Sequence, residues 1–216
     1  MIFQGNVSRE TLAADPPADP EARFLKEKWQ MKMDEFIDFL LAYNQKVNLV
    51  SRRSTREALD ALIRETLMLQ DLVSMPLVID AGSGGGLLGI PLAISLPAKK
   101  FVLVEPTHKK VVFLKEALRH LALNNAVVWE GPVQEFMYHH EKFASTMVTR
   151  GFPKIEALAE YVYKGKVREL LLISSADKIK KIQNKVANIR QNRYNIPSRD
   201  NLIIYKLENV SRETRK

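Results

Sequence analysis

The chain has 216 residues, 46% of them hydrophobic, which suits one α/β domain with an N-terminal addition and a properly buried core. It contains no cysteine, which excludes a disulfide framework and a thiolate metal site and fits a reducing compartment. The formal charge is +8 although residues 1–20 are net acidic (Arg9 against Glu10, Asp15 and Asp19), and such an excess suits a polyanionic partner, nucleic acid ahead of an acidic membrane surface. Met1 to Ala14 lacks a charged segment followed by an apolar run, so no signal peptide is expected. The longest apolar-looking stretch, Leu87 to Leu96, is too short to span a bilayer. A cytosolic protein with no membrane partner is the expectation.

In chain order, residues 1–20 read as a disordered tail. Asp15-Pro16-Pro17-Ala18-Asp19-Pro20 cannot hold a helix and has little to bury. Residues 21–75 read as an N-terminal helical extension. Leu25, Trp29, Met33, Phe36, Ile37 and Leu40 recur at helical spacing and predict an amphipathic helix to about Tyr43. A polar connection follows, and Ser54 or Thr55 caps a second helix to about Leu72, with Ala58, Leu62, Leu69 and Leu72 toward the core. From residue 76 to 216 strands and helices alternate. Strands are predicted at Leu77–Ala81, Lys100–Glu105, Ala126–Glu130, Ala144–Arg150 and Glu169–Ser174. Helices fall at Leu87–Leu96, Thr107–Leu123, Val133–His140 and Pro153–Tyr163, and a basic helix starts at Ala176. Val186–Ile196 and Asn201–Leu207 read as a closing antiparallel pair. Such alternation makes a mostly parallel sheet, here of seven strands, covered on both faces, and the whole is one structural domain.

The stretch with the most chemistry follows the first of these strands. Asp80 is followed by glycines at 82, 84, 85, 86 and 89. Strand, tight glycine turn and helix start form a ligand cradle, because no Cβ bars the backbone and the helix amides attract anions. A dinucleotide, a nucleotide phosphate and S-adenosylmethionine (SAM) compete for it. Ile90 after Gly89 excludes a P-loop, which needs Lys-Ser/Thr there. Asp80-x-Gly82-Ser83-Gly84-x-Gly86 is tighter than a dinucleotide fingerprint and resembles motif I of SAM-dependent methyltransferases. Glu105, at the end of the second strand, can accept hydrogen bonds from ribose hydroxyls, which SAM and NAD share.

The resemblance extends well beyond that motif. Asn44-x-x-x-Asn48-Leu49, the run Asp80 to Gly89-Ile90-Pro91-Leu92-Ala93-Ile94, Lys109-Lys110-x-x-Phe113-Leu114, Leu121-x-Leu123-x-Asn125 and Thr149-Arg150 together resemble the RsmG family, also called glucose-inhibited division protein B. The resemblance spans roughly residues 36–207. It implies a Rossmann-like SAM-dependent methyltransferase fold and methyl transfer to N7 of a guanine in 16S ribosomal RNA. It implies SAM contacts at Asp80, Gly82, Ser83, Gly84, Gly86 and Glu105, and at Val133 and Gln134 after the third strand. The partner would be 16S rRNA or the small ribosomal subunit, with the chain a monomer and no metal. Departures fall on the substrate side. Leu88 replaces a proline, Pro132 an arginine, Ser174-Ser175 a Lys-Gly, and Arg64-Glu65-Thr66-Leu67-Met68-Leu69 stands where the family has His-Ile-x-Asp-Ser-Leu.

Methylating N7 needs little acid–base help, since N7 has a lone pair and no proton; positioning dominates. Arg150 is the candidate catalytic residue, contacting the base O6 or a phosphate, with an ion pair to Glu105, Glu135 or another carboxylate as its structural alternative. Arg52, Arg53 and Arg56, and in the basic helix region Lys178, Lys181, Lys185 and Arg190, are candidate RNA contacts that give affinity rather than sequence choice. His108, His120, His139 and His140 lack metal-ligand spacing, and Trp29 and Phe36 pack the first helix. A SAM enzyme with another substrate, a non-catalytic RNA-binding or assembly factor, and a NAD-dependent dehydrogenase remain as alternatives.

Overall fold

The computed structural model describes residues 3–4, 20–140, 144–183, 189–197 and 199–209, with only the backbone described at 3–4, 20–25, 181, 183 and 199–201. Strand β1 (Phe3–Gln4) precedes helices α1 (Pro20–Asn44) and α2 (Arg56–Leu67) and a 3-10 turn at Gln70–Leu72. Alternation then runs β2 (Leu77–Ala81), α3 (Gly89–Ser95), β3 (Lys100–Glu105), α4 (His108–His120), β4 (Ala126–Glu130), α5 (Val133–His139), β5 (Ser145–Arg150), α6 (Ile155–Tyr163), β6 (Glu169–Ser175), α7 (Ala176–Gln183), β7 (Arg190–Ile196) and β8 (Arg199–Glu208).

The sheet order is β1-β7-β8-β6-β5-β2-β3-β4. β8 runs antiparallel to both neighbours, and the other pairings are parallel. The C-terminal pair is therefore the expected hairpin, but it folds back so that the last strand inserts between β6 and β7. The eighth strand corrects the expectation for the tail. Phe3 and Gln4 pair with Asn192 and Arg193 at the sheet edge. Helix α1 opens at Pro20, where a missing N–H costs nothing because the first turn has no acceptor for it. Residues 5–19 lie outside the described residues.

The central strands β2, β3, β5 and β6 are buried on both faces, which explains their near-continuous apolar runs. Alternate residues enter different cores. Val78, Phe101, Leu103, Val148 and Leu171 join one cluster with α1 to α4. Ile79, Val104, Met147, Leu170 and Leu172 join another with α5 to α7. Helix α3 is buried along its whole length, so it carries no polar face.

The helical extension is part of the first cluster rather than an appendage. Met33, Phe36, Ile37 and Leu40 of α1 are buried, and the Phe39 ring lies 5.8 Å from that of Phe113 on α4. Thr55 Oγ1 accepts from the Ala58 amide at 3.3 Å and sets the start of α2. That phase buries Leu59 and Ile63 and leaves Ala58 exposed, contrary to the expectation from sequence. At the sheet edge remote from the glycine turn, Glu169 accepts from Thr146 Oγ1 at 2.7 Å and from Ser74, and Lys206 Nζ stands 3.3 Å away. No helix among the described residues is long and apolar enough to cross a membrane.

Candidate functional site

The turn after β2 needs its glycines for two different reasons. Gly82, Gly84 and Gly86 adopt φ of +78°, +56° and +75°, a region that costs L side chains energy. Gly89 instead answers a close approach: a Cβ there would lie 2.2 Å from Leu103 Cδ2 and 2.7 Å from Asp80 Oδ2. The Gly82 and Ser83 amides donate to the Val104 carbonyl at 2.9 and 3.0 Å, strapping the turn to β3. Around Gly84 the space is open, the nearest atom to a Cβ being the Gly82 oxygen at 3.9 Å.

Asp80 is buried beneath this turn. Its Oδ2 accepts the Gly89 amide at 3.0 Å and satisfies the start of α3. Burial pushes its pKa up to about 7; hydrogen bonds from Ser83 and Gly89 offset this only in part, and the Glu105 charge adds to the rise. Its carboxylate thus faces the scaffold and shapes the turn from below.

Glu105 faces the other side. It is buried at the end of β3, with Oε2 accepting the Gly84 amide at 2.9 Å and Oε1 the Thr107 amide at 3.0 Å. A carboxylate has about four acceptor sites, so both oxygens can accept more. Gly131 donates to the Glu105 carbonyl at 3.1 Å and leads into α5, where Val133 is buried and Gln134 exposed.

Sequential connections leave β2 toward β3 and β4 on one side, whereas β5 and β6 lie on the other. That reversal opens a crevice at the C-terminal strand ends, where open α/β sheets bind ligands. Arg150 ends β5 at this crevice, two residues beyond Val148, the partner of Asp80. Its Nη1 donates to the Leu62 carbonyl at 3.2 Å and its Nη2 to the Glu65 carboxylate. The carboxylate beside Arg150 is therefore Glu65, neither Glu105 nor Glu135. Thr149 Oγ1 donates to the Ala81 carbonyl at 2.9 Å and locks the two strand ends together.

Sequence reasoning did not single out Glu65, Phe152 or Asn44 as site residues. Glu65 sits three residues after Leu62 on a largely apolar face of α2, a legible signal for a buried carboxylate awaiting a cation. Phe152 Cδ2 would be 3.2 Å from a Cβ at Gly82, so its ring walls the turn. Asn44 Oδ1 accepts the Leu49 and Val50 amides at 2.8 and 3.1 Å. That tight turn presses the Leu49 carbonyl and the Val50 side chain onto Gly85, each 3.3 Å from its notional Cβ.

The basic candidates divide. Arg52 and Arg53 are exposed directly after that turn. Arg56 is held by Asp34 and Asp38. Lys178 is exposed at the start of α7, just past the C-terminal end of β6. Arg190 is also exposed but begins β7, which runs parallel to β6 because both oppose β8; Glu208 faces Glu169 on one side and Arg190 on the other. Arg190 therefore lies at the opposite sheet edge, some 20 Å from the crevice at about 3.3 Å per strand residue. Arg190 and the crevice-side cations Arg52, Arg53 and Lys178 therefore stand at opposite ends of the strands. The Lys181 side chain and Lys185 lie outside the described residues. His108 pairs with Glu130 and His120 with Glu35, and no group of three His, Asp or Glu that could hold a metal occurs among the described residues. Phe36 is fully buried and Trp29 partly so, as packing residues.

An open glycine cradle beside a carboxylate with spare acceptor sites fits the ribose-bearing cofactor expected from sequence. Residues 29–201 match the family model described as "GidB: rRNA small subunit methyltransferase G". The ribosomal RNA small subunit methyltransferase G of Brachyspira hyodysenteriae is 33% identical over 192 residues, covering 88% of this chain and 89% of that protein. Its namesake from Actinobacillus pleuropneumoniae serotype 5b is 29% identical over 167 residues, covering 75% and 80%. In fold the chain resembles an O-methyltransferase from Bacillus cereus in complex with SAH (TM-score 0.60, 15% identity, 81% and 90% covered). It likewise resembles the O-methyltransferase TomG from Streptomyces achromogenes in complex with SAM (TM-score 0.60, 10% identity, 82% and 90% covered).

Proposed function

Because the chain belongs to the rRNA small subunit methyltransferase G family, we propose that it is a SAM-dependent enzyme that methylates N7 of a guanine in 16S ribosomal RNA. The observation that carries the reading is the Glu105 carboxylate, held against the open, left-handed Gly84 by that residue's own amide.

The backbone of Gly82, Ser83, Gly84 and Gly86 and the carboxylate of Glu105 would hold the cofactor, with Val133 and Gln134 on the same edge. Asp80 contributes indirectly by fixing the turn. Bound there, SAM would supply a sulfonium-activated methyl group for the N7 lone pair, with a neutral thioether as leaving group and no proton to move. The chain therefore needs to orient the base and keep the approach in line, which is worth large factors in rate. Arg150 at the crevice is the group proposed to meet the base, and Arg52, Arg53 and Lys178 the groups that meet phosphates. All these residues come from one chain, so a monomer suffices, working with rRNA in the cytoplasm.

Transfer of radiolabelled methyl from SAM onto 30S subunits and onto naked 16S RNA tests the proposal, with calorimetry for SAM binding. The expected product is 7-methylguanosine in 16S RNA. Absence of SAM binding, with or without RNA, would sink it. A second reading, a SAM enzyme with another substrate, is favoured by Pro132, Ser174-Ser175 and Glu65, all departures from the family pattern. Persistence of 7-methylguanosine in 16S RNA from a deletion strain would support that reading.

A further inference from the structure

The pairing of Glu65 with Arg150 has features that stability alone does not call for. The Glu65 side chain is 4% exposed and that of Arg150 20%. Removing two charges from water costs about what their attraction returns, so an apolar pair of similar volume would hold α2 against β5 as well. The pair also stands where the sheet order reverses, at the crevice that receives ligands. Its helix is fastened to the glycine turn, because the hydroxyl of Thr66, the next residue, lies 3.0 Å from the Leu87 carbonyl.

A guanidinium has five N–H donors in a fixed fork. Leu62 and Glu65 engage two of them, on Nη1 and Nη2. Left to itself, a guanidinium binds both O6 and N7 of guanine, or a phosphate. Either choice would defeat methylation at N7: the first occupies the nucleophile's lone pair, and the second draws the side chain from the base. An unbalanced cation would also oppose the positive charge that grows on the ring. A carboxylate ion-paired behind the guanidinium answers both problems. It fixes the fork's direction, and it cancels the net charge beside the base.

We infer that Glu65 is a positioning residue of the transfer reaction: it holds the Arg150 guanidinium to donate to the guanine O6 alone and neutralises it beside the ring. The inference rests on the proposed function and names the base contact within it.

The test compares the wild-type chain with Glu65→Gln, Glu65→Ala and the double variant Glu65→Met with Arg150→Met. Three quantities are measured: SAM affinity by calorimetry, single-turnover transfer to 30S subunits, and the salt dependence of RNA binding without SAM. SAM affinity should be unchanged throughout. The transfer rate should fall by about 10²-fold in Glu65→Ala, as for a misplaced reacting group, and by less in Glu65→Gln, whose amide oxygen still accepts from Arg150. In Glu65→Ala the released guanidinium should find a phosphate, making RNA binding steeper in log salt by about 0.7 to 0.9. The double variant should stay folded, with an unfolding midpoint no lower than that of Glu65→Ala, and transfer no faster than it. Wild-type rates and salt slopes in both single variants would overturn the inference alone. A wild-type chain that binds SAM yet transfers nothing to 16S RNA would overturn the proposed function and this inference with it.

Discussion

The amide of Gly84 donates a 2.9 Å hydrogen bond to the carboxylate of Glu105, tying the open point of the glycine turn to the end of the neighbouring strand. A buried carboxylate held by the Gly84 and Thr107 amides has its rotamer chosen before any ligand arrives, so ordering it costs binding little.

Replacing Glu105 with Gln should weaken SAM binding by about 10- to 100-fold, the loss of a charge-assisted hydrogen bond worth roughly 1.5–3 kcal/mol. The unfolding midpoint should drop only slightly, since the amide oxygen still serves one backbone donor. Calorimetry checks the first and a thermal melt the second. Unchanged affinity would move the ribose contact elsewhere.

Gly84 and Gly89 should fail differently. A Cβ at Gly84 meets open space and mainly the strain of φ +56°, so Gly84→Asp should cost about 1 kcal/mol or so of stability and abolish SAM binding by filling the cradle. Gly89→Ala collides with Leu103 and with the carboxylate that caps α3, and should cost about 1–3 kcal/mol. Urea titrations separate the two.

Asp80 should leave a pH signature. Its folded pKa is raised from 3.8 to about 7, so the fold prefers the neutral acid. Below the ordinary aspartate range both states carry the proton, and this preference is fully present and independent of pH. As pH rises through that window only the unfolded chain ionises, so stability falls until about pH 7 and then levels. Asp80→Asn keeps an acceptor for the Gly89 amide and should flatten this slope. Chemical denaturation at pH 5 and pH 8, with and without the substitution, measures it.

The buried cluster at the far edge runs with the opposite sign. Burial pushes the Glu169 carboxyl up, but hydrogen bonds from Ser74 and Thr146 and the Lys206 charge outweigh it and hold it below the ordinary glutamate range. That stabilisation is present above the unfolded glutamate pKa and is lost as pH falls through the lower folded value. Lys206→Met removes the cation, 3.3 Å from Glu169, and should cost about 3–5 kcal/mol. Its acid transition should begin at higher pH than in the wild type.

The basic residues should divide by sheet edge. Arg52→Ala with Arg53→Ala should weaken RNA binding and lower its salt slope by about 1.4 to 1.8, two phosphate contacts' worth. Arg190→Ala, at the opposite edge, should change neither. Filter binding of 16S RNA across a salt series decides this, and an effect at Arg190 would extend the RNA path around the molecule.

The strand–helix alternation was legible because each strand is a short apolar run closed by turn residues. β2, β3 and β4 begin and end where the pattern places them. The glycine turn and Glu105 were legible because their chemistry is local: left-handed backbone and a strand-end carboxylate need only near neighbours. Phe3–Gln4 was missed because two residues carry no periodicity, and only β7 supplies their partner. Ala58 was misplaced because helix phase follows the Thr55 cap rather than the apolar count.

By itself, then, the sequence determined the kind of fold and the kind of cofactor, both written in short-range patterns. Tertiary structure alone decided which charges matter. It turned Asp80 inward to cap α3, joined Arg150 to Glu65 across 85 residues of chain, and set Arg190 at the strand ends opposite the crevice. Charge pairing depends on distance and burial in space, and neither is encoded by spacing along the chain.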